Sequence, residues 1–407
     1  MQSEAAQELS TLNFRLSTLM HILEIPSFFP PYGGLFCLDQ AKALQALGHE
    51  VRILSNVQLG VTVCWKDYLR LPLGRYEHEM DGVTVLQSFQ RGLPRAIRVN
   101  VRRWVSIVQS MFEDYVRQYG KPDILHAHCA KWAGYAAMKI GEEHQIPYVV
   151  TEHLSLMLLE GEFGAHTHHT WQVPLLKQAY EQAAMVLPVS EELVESMACY
   201  YGKDYRWQYV SNTIDTDFFA CQPRPARSGR PFRFCCLADF YHLKGYDVLF
   251  DAYRQLCDKG FDVELHIAGL HTDGKECRQM MQEKKLENVT TYGRIDKEAI
   301  RRLLYDCDAL VLASRSEVQP LVLLEAMSTG IPVVSTECVP LNQRIEGGCF
   351  IVPIDDAPAL ARQMETVMQM EDFDGKRVSE QIRQMASPKV VGKQLEDIFT
   401  RVVKGQS

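Results

Sequence analysis

The chain has 407 residues, enough for two or three domains that each bury a core. Charged residues make up 23% and hydrophobic residues 46%, the balance of an ordinary globular enzyme, and a net charge of -8 argues against a nucleic-acid partner. Twelve cysteines without a C-x-x-C pair or metal-ligand spacing, several in apolar runs such as Cys235-Cys236 and Cys307, read as reduced core thiols of a cytoplasmic protein.

Residues 1–12 carry two Glu and no basic residue, unlike a secretory leader, and residues 1–18 read as an extension. No apolar run approaches the ~18 residues needed to span a bilayer. Residues 19–25 read as a first strand, followed by the loop Pro30-Pro31-Tyr32-Gly33-Gly34, a helix at 35–47 closed by Gly48, and a second strand at 51–54. This is one β-α-β unit. Gly33-Gly34 at its strand-to-helix turn would let backbone approach a ligand, although an ordinary glycine turn has the same composition. The G-x-G-x-x-G fingerprint of a dinucleotide site is not there.

Residues 75–89 read as an extended pair turning at Asp81-Gly82. From Val83 to Phe112 there is no acidic residue, while Arg91, Arg95, Arg98, Arg102 and Arg103 interleave with apolar residues. Two readings stand: a basic amphipathic surface that meets anionic lipid headgroups or an anionic acceptor, or a solvated helix face. Residues 124–128 read as a strand whose alternation puts His126 and His128 on one face. Its carboxyl end is where ligands bind in open α/β sheets. A helix at 130–144 and a strand at 148–151 follow, the latter ending in Glu152-His153. His166, His168 and His169 lie in a long loop without helical metal-ligand spacing, and read as part of a lid or acceptor loop rather than a metal site. A strand at 185–189 leads into a helix capped by Ser190.

Residues 221–231, with three prolines, three arginines and a glycine, read as an interdomain linker. Strand and helix then alternate again: strands at 232–238, 263–268, 289–292 and 309–313, helices at 245–259, 275–285 and 297–306. The pattern predicts a second parallel sheet with helices on both faces. Lys244 sits at the first strand-to-helix turn of this half. Glu317 follows the strand at 309–313, Pro320 suits the first turn of a helix at 321–328, and Gly330 and Pro332 end it. Helical throughout, Glu317 and Glu325 would stand roughly 12 Å apart. That exceeds the ~5 Å of paired retaining-glycosidase carboxylates and suits two groups holding opposite ends of one long polar ligand.

The stretch containing Glu317, Glu325-Ala326-Met327, Gly330 and Pro332-Val333-Val334 resembles the E-x7-E region of retaining glycosyltransferase family 4. So do the Gly33-Gly34 loop, His128, Thr151-Glu152-His153, Asn212-Thr213-Ile214-Asp215 and the run from Lys244-Gly245 to Ala252. The resemblance covers the chain from about residue 19 on. It implies a GT-B fold, two doubly wound Rossmann-like α/β domains facing across a cleft: an acceptor domain at 19–220, a nucleotide-sugar domain at 232–385, and a C-terminal helix at 386–407 packing back on the first.

On this resemblance Lys244 meets the donor diphosphate, Glu325 the ribose and Glu317 the donor sugar. His128 stands near the reacting centre with His126 second to it, Gly33 and Gly34 face the phosphates, and Gly269 and Arg294 receive the base. No metal and no cofactor is implied, and the donor is a UDP- or GDP-sugar. The acceptor is a glycan or a lipid-linked glycan in surface polysaccharide assembly, with the arginine stretch in peripheral contact with the inner membrane face. Two positions depart from the family pattern. Asp239 stands where many members carry arginine, which puts the grip on the diphosphate in question unless Arg294 or Arg315 substitutes, and Pro320 stands where many have glycine. A non-catalytic scaffold subunit and a nucleotide-sugar epimerase are the rival readings.

Overall fold

The computed structural model describes residues 19–60, 65–154, 159, 170–223 and 229–406. His166, His168 and His169, the 1–18 extension and part of the 221–231 stretch lie outside them. The chain divides into two compact units, residues 1–213 with 388–407, and residues 214–387.

Unit 1 holds a seven-stranded sheet in the order β3-β4-β2-β1-β5-β6-β7. The strands are β1 (His21–Pro26), β2 (Glu50–Leu59), β3 (Gly74–Met80), β4 (Val83–Arg91), β5 (Ile124–His128), β6 (Tyr148–Glu152) and β7 (Met185–Pro188). All neighbours run parallel except the edge hairpin β3–β4, which turns at Asp81-Gly82. Its helices are α1 (Leu35–Gln45), α2 (Trp65–Arg70), α3 (Ile97–Tyr119), α4 (Tyr135–His144), α5 (Gln172–Glu181) and α6 (Glu192–Tyr201). Ser190 does not cap α6; its hydroxyl donates to the Glu192 carboxylate at 2.6 Å, and Glu191 takes the cap position.

Unit 2 holds a six-stranded parallel sheet in the order β10-β9-β8-β11-β12-β13. Its strands are β8 (Phe232–Leu237), β9 (Val263–Ala268), β10 (Val289–Thr291), β11 (Ala309–Leu312), β12 (Val333–Thr336) and β13 (Cys349–Val352). Between and after them come α7 (Tyr246–Asp258), α8 (Lys275–Glu283), α9 (Lys297–Asp306), α10 (Leu321–Ser328), α11 (Ala357–Gln369) and α12 (Gly375–Ala386). β11 is wholly buried, as its unbroken apolar run requires of a strand covered on both faces. The order is that of a doubly wound sheet, with the winding reversing between β8 and β11. In unit 1 the corresponding reversal falls between β1 and β5.

The passage from unit 1 to unit 2 falls at 213–214, upstream of the proline-rich stretch expected to link them. Ile214 already belongs to unit 2, its N–H donating to Ala386 O at 2.7 Å. The return falls at 387–388, and α13 (Pro388–Val403) joins unit 1. Val391, Leu395, Ile398, Phe399 and Val402 of α13 are buried in one cluster with Cys37, Leu38, Ala41 and Leu44 of α1. Gly392 permits close approach, since a Cβ there would stand 2.9 Å from Ala43 O.

Candidate functional site

Each sheet reversal splays the loops at the strand ends apart and leaves a crevice there. Lys244 and Glu317 follow the two strands of the unit 2 reversal, and His126 and His128 lie on β5 at that of unit 1; each unit is described by itself.

In unit 2, β8 runs into a single turn at His242–Lys244 and then α7. Gly245 joins turn to helix with φ +63, and a Cβ there would sit 1.9 Å from Ala313 O, so only glycine lets the loops after β8 and β11 close on each other. They are tied by Arg315 N–H donating to Leu243 O at 2.8 Å. Lys244 Nζ then lies 2.7 Å from Glu317 Oε1, and the Ser314 hydroxyl donates to the same oxygen at 2.7 Å. The lysine side chain is 28% exposed and the carboxylate 9%. The pair expected to touch one ligand is therefore bonded together, with the cation on the outer side.

α7 and α10 both start without a side-chain cap, at Gly245 and Pro320. By contrast, Asp296, Asp356 and Asp374 cap α9, α11 and α12. A helix start without an internal acceptor suits an anionic ligand; α10 is such a start, whereas in the first turn of α7 the Asp247 carboxylate takes backbone N–H groups itself. Glu325 is the fifth residue of α10, half-buried; the helix begins at Leu321, so the segment from Glu317 to Pro320 is loop. Asp239 accepts the Leu270 N–H at 2.7 Å, and Gly269 N–H donates to Gly293 O at 2.9 Å. The aspartate thus braces the loop after β9. Arg315 is not available as a substitute cation: it forks onto Asp247 at 2.7 and 3.0 Å and reaches Asp355 at 2.7 Å. Arg294 is exposed.

In unit 1 the centre of the crevice is a carboxylate that sequence reading passed over. Glu24 of β1 is fully buried, with Oε2 2.7 Å from His128 Nε2 and 2.8 Å from His126 Nδ1. His126 Nε2 lies 2.6 Å from the Thr151 hydroxyl, and His128 Nδ1 lies 3.2 Å from His153 Nε2. Burial pushes the Glu24 carboxyl up, but the imidazoles outweigh it and hold it down at about 2. Burial and the neighbouring His126 lower His128 to about 4, against the pull of Glu24. His153 is likewise pushed well down by burial, then by His128 and His126.

A neutral His128 has one N–H, and a carboxylate partner claims it at Nε2. Its Nδ1 is then an acceptor, which requires His153 to donate from Nε2 and leaves His153 Nδ1 as a lone pair. That atom is shielded and has no partner among the described residues. The chain Glu24–His128–His153 therefore carries acceptor character from the sheet interior to its last ring. His128, the candidate from sequence, has both nitrogens occupied within the protein; His153 is the member with an acceptor to offer.

Gly33 and Gly34 have φ +94 and +85; a Cβ on Gly34 would fall 1.9 Å from Phe28 O, whereas one on Gly33 would meet nothing. The turn sets the start of α1, again without a side-chain cap, and Phe36 in its first turn stacks on His153 with centroids 3.7 Å apart. Glu152 supports the far side, accepting from the N–H groups of Ala130, His153 and Leu154 and from Tyr180 at 2.7 to 3.0 Å. Glu24, Cys37 and His128 come close enough together to ligate a cation. Their chemistry fits poorly, because Glu24 and His128 are already bonded and burial, then Glu24, holds the Cys37 thiol protonated far above neutrality.

A glutamate inside the apolar run HILEIP was the available signal for this cluster. A buried carboxylate needs a partner, and the histidines of the parallel neighbour β5 supply it, with His126 in register opposite Glu24.

Two doubly wound sheets of this order are those of the GT-B fold. The model of Glycosyltransferase Family 4 matches residues 33–218 and that of Glycosyl transferases group 1 matches residues 231–370, so the chain belongs to the family 4 type of these enzymes. It is 24% identical over 405 residues, covering 91% of this chain and 97% of the other, to WcaL of Escherichia coli K12, a glycosyltransferase assigned to colanic acid biosynthesis. TuaC of Bacillus subtilis, assigned to teichuronic acid biosynthesis, is 26% identical over 337 residues, with 78% of this chain and 81% of that one covered. Among solved structures, sucrose-phosphate synthase from Thermosynechococcus elongatus superposes with a TM-score of 0.73 at 18% identity over 95% of this chain and 100% of the other. Anabaena HepE in complex with UDP and glucose gives 0.70 at 18% identity over 94% and 99%.

Proposed function

We propose that the chain transfers a sugar from a UDP- or GDP-sugar to a glycan or lipid-linked acceptor in surface polysaccharide assembly, with retention at the anomeric carbon and without a metal. The observation that carries this is the Lys244–Glu317 pair at the reversal of the unit 2 sheet, between the two uncapped starts of α7 and α10. A diphosphate would draw Lys244 outward and take the N–H groups at the start of α10, which stabilises the leaving group without reorganising solvent. Glu317, released on one side but still held by Ser314, would accept donor-sugar hydroxyls. Glu325 would bind the ribose, and Gly269 and Arg294 would flank the base.

In unit 1 the Glu24–His128–His153 chain would offer His153 Nδ1 to a sugar hydroxyl, with His128 setting its tautomer. Gly33 and Gly34 would free the N–H groups at the start of α1 for a phosphate oxygen. No carboxylate stands out as a covalent nucleophile, which favours same-face attack assisted by the leaving phosphate.

No helix among the described residues is long and apolar enough to cross a membrane. Of the arginine stretch, Arg91 and Arg103 are spent on backbone carbonyls of Tyr68, Leu69 and Arg91. Arg95, Arg98 and Arg102 are exposed, and Arg95 with the neighbouring Leu93, Ile97 and Val99 would make the peripheral contact with the inner face of the membrane.

The test is calorimetric titration of uridine, guanosine and adenosine diphosphates and their sugars, with Lys244→Ala and Glu325→Ala alongside. Micromolar binding of one base, lost in both variants, is expected. A folded protein that binds none would leave Asp239 as the mark of a scaffold subunit.

A further inference from the structure

Unit 1 contains a cavity of about 600 Å³ on the side of α3. It is lined by Arg98, Arg102, Val101 and Val105 of α3, Tyr135 and Lys139 of α4, and Trp171 and Leu175 at α5. Three cations from two helices therefore meet an apolar and aromatic wall. Its size is that of a small-molecule site, roughly 300–1,000 Å³.

Among the described residues the charges here are not balanced from within. α3 begins at Ala96 without a side-chain cap and has no acidic residue in its first turn. Its positive dipole end is therefore reinforced by Arg98 rather than offset, an arrangement that disfavours the bare protein and favours a bound anion. No carboxylate among the described residues pairs with Arg98 or Arg102. Arg98 instead lies 5.3 Å over the Trp171 ring, and Lys139 has the exposed Glu142 at 3.7 Å and the Tyr135 ring at 5.9 Å. A groove of about 320 Å³, lined by Val99, Arg102, Arg103, Ser106 and Ile107, shares Arg102 and Ser106 with the cavity and extends it along α3.

We propose that this cavity binds a single amphiphile whose head is a phosphate or diphosphate ester and whose tail is an aliphatic chain. Arg98, Arg102 and Lys139 take the head, and Val101, Val105 and Leu175 with the Tyr135 and Trp171 rings take the first part of the tail. The proposal deepens the glycosyltransferase reading and rests on it: the amphiphile is the carrier end of a lipid-linked acceptor. A plain membrane contact would need cations on a flat face, whereas here α3, α4 and the Trp171–Leu175 end of α5 line a half-open cavity. A plain anion site would not need the apolar wall.

Farnesyl diphosphate, inorganic diphosphate, farnesol and phosphatidylglycerol vesicles are titrated against the full chain by calorimetry, with UDP and GDP on the same preparations. Farnesyl diphosphate is expected to bind at least tenfold more tightly than diphosphate or farnesol. Joint Arg98→Gln and Arg102→Gln substitution, at exposed positions that leave the melting temperature unchanged, should weaken it roughly ten- to a hundredfold. Trp171→Ala should weaken farnesyl diphosphate and spare inorganic diphosphate. Equal affinity for both diphosphates, binding of vesicles alone, or indifference to the arginine substitutions each overturns the proposal. Nucleoside diphosphate binding separates the two levels: if it persists while farnesyl diphosphate does not bind, only the cavity assignment falls, and if it is absent from the wild type the donor reading falls on its own.

Discussion

Lys244 Nζ and Glu317 Oε1 stand 2.7 Å apart, so the lysine in the turn after β8 and the glutamate after β11 neutralise each other across the reversal of one sheet. A ligand diphosphate must compete with this carboxylate for the lysine. Glu317→Gln should therefore leave nucleoside diphosphate affinity unchanged or raised, while turnover of the nucleotide sugar falls at least a hundredfold. Lys244→Ala should lower nucleotide affinity roughly ten- to a hundredfold, the worth of one charge-assisted hydrogen bond. Calorimetry and initial rates on the same proteins check both.

Glu24→Ala removes the carboxylate partner of two buried imidazoles. Breaking a buried pair from one side typically costs ~3–5 kcal/mol, so the melting transition of unit 1 should fall while that of unit 2 stays in place. Glu24→Gln keeps the shape but offers one acceptor and one amide donor. It should reverse a histidine tautomer, visible as exchanged nitrogen shifts of His128 or His153 in nitrogen-15 spectra. Unchanged shifts would remove the proposed route from Glu24 to His153.

Stability should fall as the pH drops from 7 towards 4. The folded protein holds His128 at about 4 and His153 well below its ordinary 6.5, so between those limits the unfolded chain binds more protons. The stabilisation from keeping these rings neutral is complete above 6.5 and is lost on the way down, on the order of 3 kcal/mol for His128. Glu24, held low, contributes above its unfolded value near 4.5 and loses that contribution only as the pH approaches 2. Urea titrations at stepped pH should show the steepest change between 6.5 and 4.

The two adjacent glycines of unit 1 should respond unequally. Gly33→Ala meets only the left-handed backbone penalty, ~1–2 kcal/mol, since its Cβ would enter open space. Gly34→Ala adds a collision with Phe28 O that the backbone must move to relieve. The melting temperature should fall further for Gly34→Ala, and the Phe36–His153 stack, followed by its ring-current shifts, should loosen in that variant alone.

The alternation of apolar runs and helical stretches made both sheets legible, because parallel strands buried on two faces are written as unbroken Val, Ile and Leu. Lys244, Glu317 and Glu325 were singled out by resemblance. That Lys244 and Glu317 bond each other was not, since 73 residues separate them and only the β8–β11 pairing brings them together. Glu24 was passed over because it interrupts a run whose other residues all read as core. Arg315 was considered as a substitute cation because its charge is visible in sequence, whereas its commitment to Asp247 and Asp355 depends on where α7 starts. The compact units divide at 213–214 and not in the 221–231 stretch read as a linker, since proline content marks a chain that cannot be helical, not one that lies outside a domain.

α13 makes unit 2 an insertion within unit 1. During synthesis the surface of α1 stays uncovered until residues 388–403 emerge, long after the strands of its own sheet have been made. Unit 2, in contrast, is one continuous segment and has all its sheet partners by residue 387. A fragment spanning 214–387 should therefore be expressible alone, whereas cutting the chain at 387 would expose Cys37, Leu38, Ala41 and Leu44 and leave the first 213 residues prone to aggregate.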